Sequence, residues 1–341
     1  MSDQQDQADT RQSGESSERA PSPVSPAPRP RRADTADLKR RLGPTGVWLG
    51  YTLAAAPADT VRQAAQDLDR LGYGALWFGG DGPGSKEAIS QAAILLSATQ
   101  RTVVATGIAS IWSRDALAAA TAATSLAEAW PDRFLLGLGV SHAKLVAARG
   151  SEYRKPLTAM RSYLDAMDAV DFPSEPRPAP APRVLAALRP KMVGLARDRA
   201  DGAHTYFTTP AHTARVRATL GTAPLLAPEQ AVVLDTDPRR ARATARDHMA
   251  RYLALPNYVN NLRELGWDDA DFADGGSDAL VDAIVPWGGP GTIAERLREH
   301  RDAGADHVAV QPLAATLTAQ VAALRELAPA LLGEAPRGAG T

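Results

Sequence analysis

Eight short apolar runs recur along the chain, each followed by a stretch with helical spacing. This alternation constrains the fold more than any single motif. The runs cover residues 47–51, 75–78, 102–110, 134–140, 183–187, 203–208, 230–235 and 307–311. Most are nearly free of polar interruption, the pattern of parallel strands covered on both faces; a strand with one wet face alternates apolar and polar residues. Between the runs, Val61, Ala64, Ala65, Leu68 and Leu71 fall on one helical face. The helix ends are punctuated as well. Pro57 suits a first turn and Gly72 an exit, Ser113 a cap for the stretch reaching Trp130, and Asp237-Pro238 a capped start. Thr292 to Glu295 reads as a capping box and Gly304 as the exit of the same helix. Eight strand–helix units predict a (β/α)8 TIM barrel. A doubly wound sheet would carry a glycine fingerprint after its first strand, whereas the first run here ends Gly50-Tyr51-Thr52-Leu53.

The predicted organisation is a disordered tail over residues 1–42, one barrel domain over 43–330 and a flexible C-terminus over 331–341. The tail is rich in Ser, Gln, Pro, Asp and Arg and has too few large apolar residues to offset chain entropy. Residues 255–287 form an insertion between strands seven and eight, and Pro173, Pro176, Pro178, Pro180 and Pro182 stiffen the connection into strand five. The formal net charge is −1, which predicts no nucleic-acid or anionic-membrane partner. Cysteine is absent, so disulfides and thiolate chemistry are excluded. No apolar run approaches the ~18 residues of a membrane span, and Arg31-Arg32 leads into Ala33-Asp34 rather than an apolar stretch; a cytoplasmic protein is expected. The six histidines show no HxH or HExxH spacing, so no metal site is expected.

In a barrel, chemistry sits where strands end at the C-terminal face. The fourth run ends in GLGVSH, Gly137 to His142, whose glycines leave room for a planar ligand or a close backbone approach. His142 stands where a dinucleotide fingerprint needs its third glycine. Gly139-Val140-Ser141-His142-Ala143 also approximates a GxSxG nucleophile elbow, which makes a serine hydrolase using Ser141 with a distant His307 and Asp235 an alternative. A histidine at a strand terminus handles protons near neutral pH. Strand two ends Trp77-Phe78-Gly79-Gly80-Asp81, where the glycines open space and Asp81 offers a ligand contact. Strand three ends Ser110-Ile111-Trp112, a pattern suited to a kink. Strand five ends Ala187-Leu188-Arg189-Pro190-Lys191, a helix start with two cations suited to a phosphate.

Taken together, Thr106-Gly-Ile, Ile111-Trp-x-Arg-Asp115, Leu126-Ala-Glu, Pro131-x-Arg-Phe, Leu136 to His142, Tyr153-x-Lys-Pro156 and Ala303-Gly-Ala-Asp-His-Val308 resemble the luciferase-like (bacterial-luciferase-type) flavin and deazaflavin oxidoreductases. The resemblance runs from about Gly46 to Ala328 and independently implies a (β/α)8 barrel. The GLGVSH form is most similar to the coenzyme F420-dependent branch. The resemblance implies hydride transfer between F420 and a small organic substrate, with an FMN-dependent monooxygenase as the alternative. It implies a non-proline cis peptide at a strand-three bulge, matched at Ser110-Ile111. It also implies a cofactor ring beside Gly80, Gly139, Val140 and Ser141, and a phosphate near Ala187, Leu188, Arg189 and Lys191. The resemblance places His142 toward the substrate; His142 is the expected catalytic group, and Tyr51, Trp77 and Asp81 are the expected substrate contacts. Members are often homodimers. Two departures stand out: Arg189 replaces a usual glycine, and Gly79-Gly80-Asp81 replaces an Asp-His pair found in several relatives.

Overall fold

The computed structural model describes residues 35–82, 84–172 and 179–333. Its strands are β1 Thr45–Leu49, β2 Ala75–Phe78, β3 Val103–Thr106, β4 Ala109–Ser110, β5 Phe134–Gly139, β6 Arg183–Ala186, β7 Gly202–Thr205, β8 Leu225–Val232 and β9 Val308–Pro312. All pair in parallel, in the order β3-β2-β1-β9-β8-β7-β6-β5-β4. A further β3–β5 pairing closes the ring. Because β3 and β4 are successive halves of one stave, the result is a (β/α)8 TIM barrel. The split falls at Gly107–Ile108, which is joined by a cis peptide bond. The cis bond expected at Ser110-Ile111 therefore sits three residues earlier.

Strand alternation sorts the apolar residues into two concentric layers. Val47, Leu49, Leu76 and Phe78 face the surrounding helices. Trp48, Ala75, Trp77, Ala105, Ala227 and Ala309 fill the barrel. The alanines accommodate the two tryptophans within a narrow interior. Trp77 is fully buried, stacks on His204 at 4.7 Å and donates its indole N–H to Nε2 of His307 at 3.0 Å. The Nδ1 of His307 in turn bonds the Gly43 carbonyl at 2.8 Å. Burial holds both imidazoles to about 4, so they are neutral packing groups.

The N-terminal end of the barrel is closed by a helix, Thr35–Leu42, whose Leu38 and Leu42 enter the interior cluster. This corrects the boundary expected at residue 42, since residues 35–42 belong to the folded body. The rest of the expected tail, and residues 334–341 of the expected flexible terminus, lie outside the described residues. So does most of the proline-rich connection.

Several helix ends form as read. Gly72 closes Ala58–Leu71 at φ 93°, and Asp237 caps Pro238–Leu253 by accepting from the Arg240 amide. Two differ. Asp115, not Ser113, caps Ala116–Ala129, because Ser113 turns its hydroxyl back to the Ser110 carbonyl. The Thr292–Glu295 capping box does not form, because Pro290 starts that helix two residues earlier with Gly289 as its cap. His300, near the end of the same helix, is fully buried and pushed down to about 3, so desolvation outweighs any helix-end attraction for its charge.

The insertion after β8 contributes helices Pro256–Glu264, Asp269–Phe272 and Asp278–Ile284. With Pro238–Leu253 they enclose a separate core containing Phe207, Met249, Tyr252, Tyr258, Leu262 and Ile284. This core lies at the C-terminal mouth of the barrel. No described helix is long and apolar enough to cross a membrane.

Candidate functional site

His142 reaches the mouth because the strand before it ends in a left-handed residue. Ser141 has φ 57°, a conformation that costs a non-glycine residue roughly 1 kcal/mol. The turn converts β5 into the start of the helix Ala143–Ala147, with His142 at its N-cap position. Its imidazole is half-buried, lies 5.7 Å from the Tyr258 ring and has the Asn257 side chain beside it. Burial lowers its pKa and Asn257 opposes that shift; the net direction is down. The ring is therefore neutral at neutral pH. Both partners come from the insertion helix Pro256–Glu264.

Beside His142 the mouth is roofed by aromatic side chains. Tyr206 lies 5.1 Å from both Trp48 and Tyr252. Phe207 packs on Tyr252 at 4.9 Å and on Tyr258 at 5.5 Å. The hydroxyls form a chain in which Tyr252 meets Tyr206 at 2.8 Å and Tyr206 donates to Oε1 of Gln311 at 3.0 Å. At the rim, the Arg251 guanidinium sits 4.7 Å over the Tyr51 ring, which is 59% exposed.

Several expected site residues are placed elsewhere or used otherwise. Trp77 lies inside the barrel, too deep to meet a substrate at the mouth. Asp81 is buried, and its two carboxylate oxygens accept from the amides of Ala88 and Ser110, both at 3.1 Å. It ties the loop after β2 to the third stave. Gly80 is a close approach, since a Cβ there would lie 2.7 Å from that of Ala88. Ser110 and Ile111 are buried in the layer between staves and helices; the half-buried residues at the kink are Gly107 and Ile108. Gly139 makes room for Ile108, since a Cβ would meet its side chain at 2.5 Å.

The phosphate grip does not assemble as expected. Arg189 is exposed and its guanidinium is held by Glu264 at 2.6 and 3.0 Å. Ala187 is buried, the Leu188 carbonyl bonds His212, and Lys191 is exposed. The hydrolase alternative fails on geometry. His307 is engaged with Trp77 and Gly43 at the start of β9, the end of the barrel opposite Ser141.

Candidate ring neighbours converge at one end of the barrel. Gly79, Gly107, Ile108, Val140 and Ser141 are all half-buried at neighbouring stave ends. A Cβ on Gly79 would be in ordinary contact with the Trp48 ring at 3.5 Å, and one on Gly107 would meet the Trp48 indole nitrogen at 2.9 Å, so Trp48 packs against both glycines. His142 follows Ser141 directly at the same end.

The luciferase-like monooxygenase family model matches residues 42–307. The chain belongs to that family. Within this luciferase-like fold, one similar solved structure is an F420-dependent secondary alcohol dehydrogenase in complex with an F420-acetone adduct. It has 14% identity and a TM-score of 0.66, over 85% of this chain and 99% of that one. Another is an EDTA monooxygenase from Chelativorans sp. BNC1, with 14% identity and a TM-score of 0.67, over 86% and 94%. A third is a type II Baeyer-Villiger monooxygenase, the oxygenating constituent of 3,6-diketocamphane monooxygenase from the CAM plasmid of Pseudomonas putida, in complex with FMN. It has 14% identity and a TM-score of 0.63, over 85% and 98%. No curated protein sequence matches the chain.

Reading the sequence alone passes over Glu229, Tyr206, Gln311, Tyr252, Asn257 and Tyr258, which shape this mouth. Glu229 lies just before the seventh run expected over 230–235; the strand begins earlier, at Leu225, and runs through Pro228 and Glu229.

Proposed function

We propose that this protein is an F420-dependent oxidoreductase that exchanges a hydride with a small neutral organic substrate at the barrel mouth. The observation that carries the proposal is His142, a desolvated imidazole that the left-handed Ser141 places at the mouth directly after β5. Gly79, Ile108, Val140 and Ser141 would hold the ring, and Ala187 to Lys191 would lie toward its tail. When bound, the deazaflavin supplies a carbon that gives up or takes a hydride. The protein's own task is to align the two reactants at about 3–3.5 Å and to keep water out. The aromatic roof of Tyr206, Tyr252 and Tyr258 serves the second purpose. Neutral His142 takes the proton released when an alcohol is oxidised, and returns it in the reverse direction. Tyr51 at the rim is placed to meet the incoming substrate.

An FMN-dependent monooxygenase is the second reading, favoured by the comparable likeness to the FMN-bound and EDTA-oxidising enzymes. Parallel titrations with F420 and FMN separate the two. Saturable quenching of F420 fluorescence with no response to FMN supports the first; the reverse result supports the second.

The histidine role has its own test. Because Asn257 raises the pKa of His142 against burial, Asn257→Ala should lower it further. The acid limb of kcat/KM for alcohol oxidation, which burial already shifts down from the ordinary histidine value, should move to lower pH in the variant. An unmoved or upward-shifted limb assigns the titration to another group.

A further inference from the structure

One buried acid at the mouth is unused by this chemistry. On β8, Leu225 and Ala227 point into the barrel, and alternation places Glu229 on the same face, one layer nearer the mouth. It is 1% exposed. Its Oε2 accepts one bond, from the Phe207 amide at 3.3 Å, and its Oε1 is buried without a partner. That amide belongs to a strained turn, since Phe207 has φ 58°. The Phe207 ring packs on Tyr252 and Tyr258, so Glu229 sits under the hinge of the aromatic roof.

We propose that Glu229, as a neutral carboxylic acid, is a positioning residue that holds the Phe207 turn and the tyrosine roof closed over the mouth, and that its ionisation releases the roof. The physical ground is where water must enter. A buried carboxylate with one oxygen unpartnered needs solvent or a cation. The far end of the barrel is plugged by Leu38 and Leu42, so hydration has to come through the roof. The ionisable groups around Glu229 offer no counter-charge. Tyr206 comes from the turn after β7, Tyr252 from Pro238–Leu253 and Tyr258 from Pro256–Glu264, and burial pushes all three phenols up. His204, lower on β7, is neutral. Burial pushes the Glu229 acid to about 8, against the opposing Phe207 bond, and no cation contributes.

The roof is read directly by near-ultraviolet circular dichroism of the ligand-free protein, followed from about pH 6 to about 9.5, below ordinary tyrosine ionisation. The wild type should show one transition with its midpoint near 8, and Glu229→Gln, which keeps an acceptor for Phe207 but has no proton to lose, should show none. Amide exchange over residues 204–209 of the wild type should accelerate through the same transition by more than its intrinsic pH dependence. A flat wild-type signal, or the same transition in Glu229→Gln, overturns the proposal; the exchange measurement decides on its own if that variant does not fold. The consequence for binding rests on the mouth being the cofactor site. F420 should bind at least about threefold more weakly above the transition than below it in the wild type, with no such change in Glu229→Gln. A protein that shows the aromatic transition but binds no F420 defeats the cofactor reading and leaves the roof device standing.

Discussion

His142→Ala should lower turnover by about 10²- to 10⁴-fold while leaving F420 affinity within about threefold of the wild type, the loss usual for a positioned acid–base group. The split between the two effects follows from geometry. The proposed ring contacts are Gly79, Gly107, Ile108, Val140 and Ser141, whereas the His142 imidazole packs toward Tyr258 on the insertion. Removing the imidazole takes away the proposed proton acceptor and leaves those contacts in place. The remaining activity should lose the acid limb of its pH profile. Wild-type turnover in the variant, with cofactor bound, removes His142 from the chemistry; loss of binding and turnover together recasts it as a structural residue.

Gly137→Ala should destabilise the barrel by more than about 4 kcal/mol, the exceptional end of single-substitution effects. A Cβ at this position would lie 1.8 Å from the Thr106 carbonyl oxygen, a backbone atom that cannot swing aside. The same two residues are stitched together. The Thr106 hydroxyl donates to the Gly137 carbonyl and accepts from the Gly137 amide, both at 2.8 Å, just below the point where the third stave breaks. Relieving the clash would therefore break the contact that joins β3 to β5. Gly194→Ala is the matched control. Gly194 lies within the helix Pro190–Arg199 with open space around its Cβ position, so alanine there should stabilise by up to about 1 kcal/mol. Chemical denaturation of the two variants reads both. A Gly137→Ala protein as stable as the wild type would show that the staves separate more easily than their packing implies.

The barrel was legible in the sequence because burial on both faces leaves its mark residue by residue: runs such as 75–78 and 134–140 admit few polar side chains. What was not legible was depth along a stave. Trp77 and Gly79 are neighbours in sequence, yet one lies inside the barrel and the other at its mouth. Alternation gives the face of a residue, not its height above the barrel floor. The kink shows the same limit. Small residues before bulky ones marked the third strand end as irregular, but Thr106-Gly107-Ile108 and Ser110-Ile111-Trp112 look alike as strings. Only the ladder, with β3 and β4 pairing separately to β5, places the break at Gly107–Ile108. The roof was invisible for a different reason. Tyr206, Tyr252 and Tyr258 come from three separate elements, and no local spacing records their convergence. The place of His142 at the mouth was legible because its signal is local, a polar residue directly after a buried strand.

If the barrel mouth receives the F420 ring, blocking that mouth abolishes cofactor binding. Ile108 is half-buried at the kink, and its side chain lies over Gly139 at the interior end of β5, so Ile108→Trp adds bulk on that side. Fluorescence titration of F420 with the wild type should show saturable quenching, and with a folded Ile108→Trp protein should show none over the same range. Undiminished quenching by the variant, or no quenching by the wild type, would contradict the placement of the cofactor at this mouth.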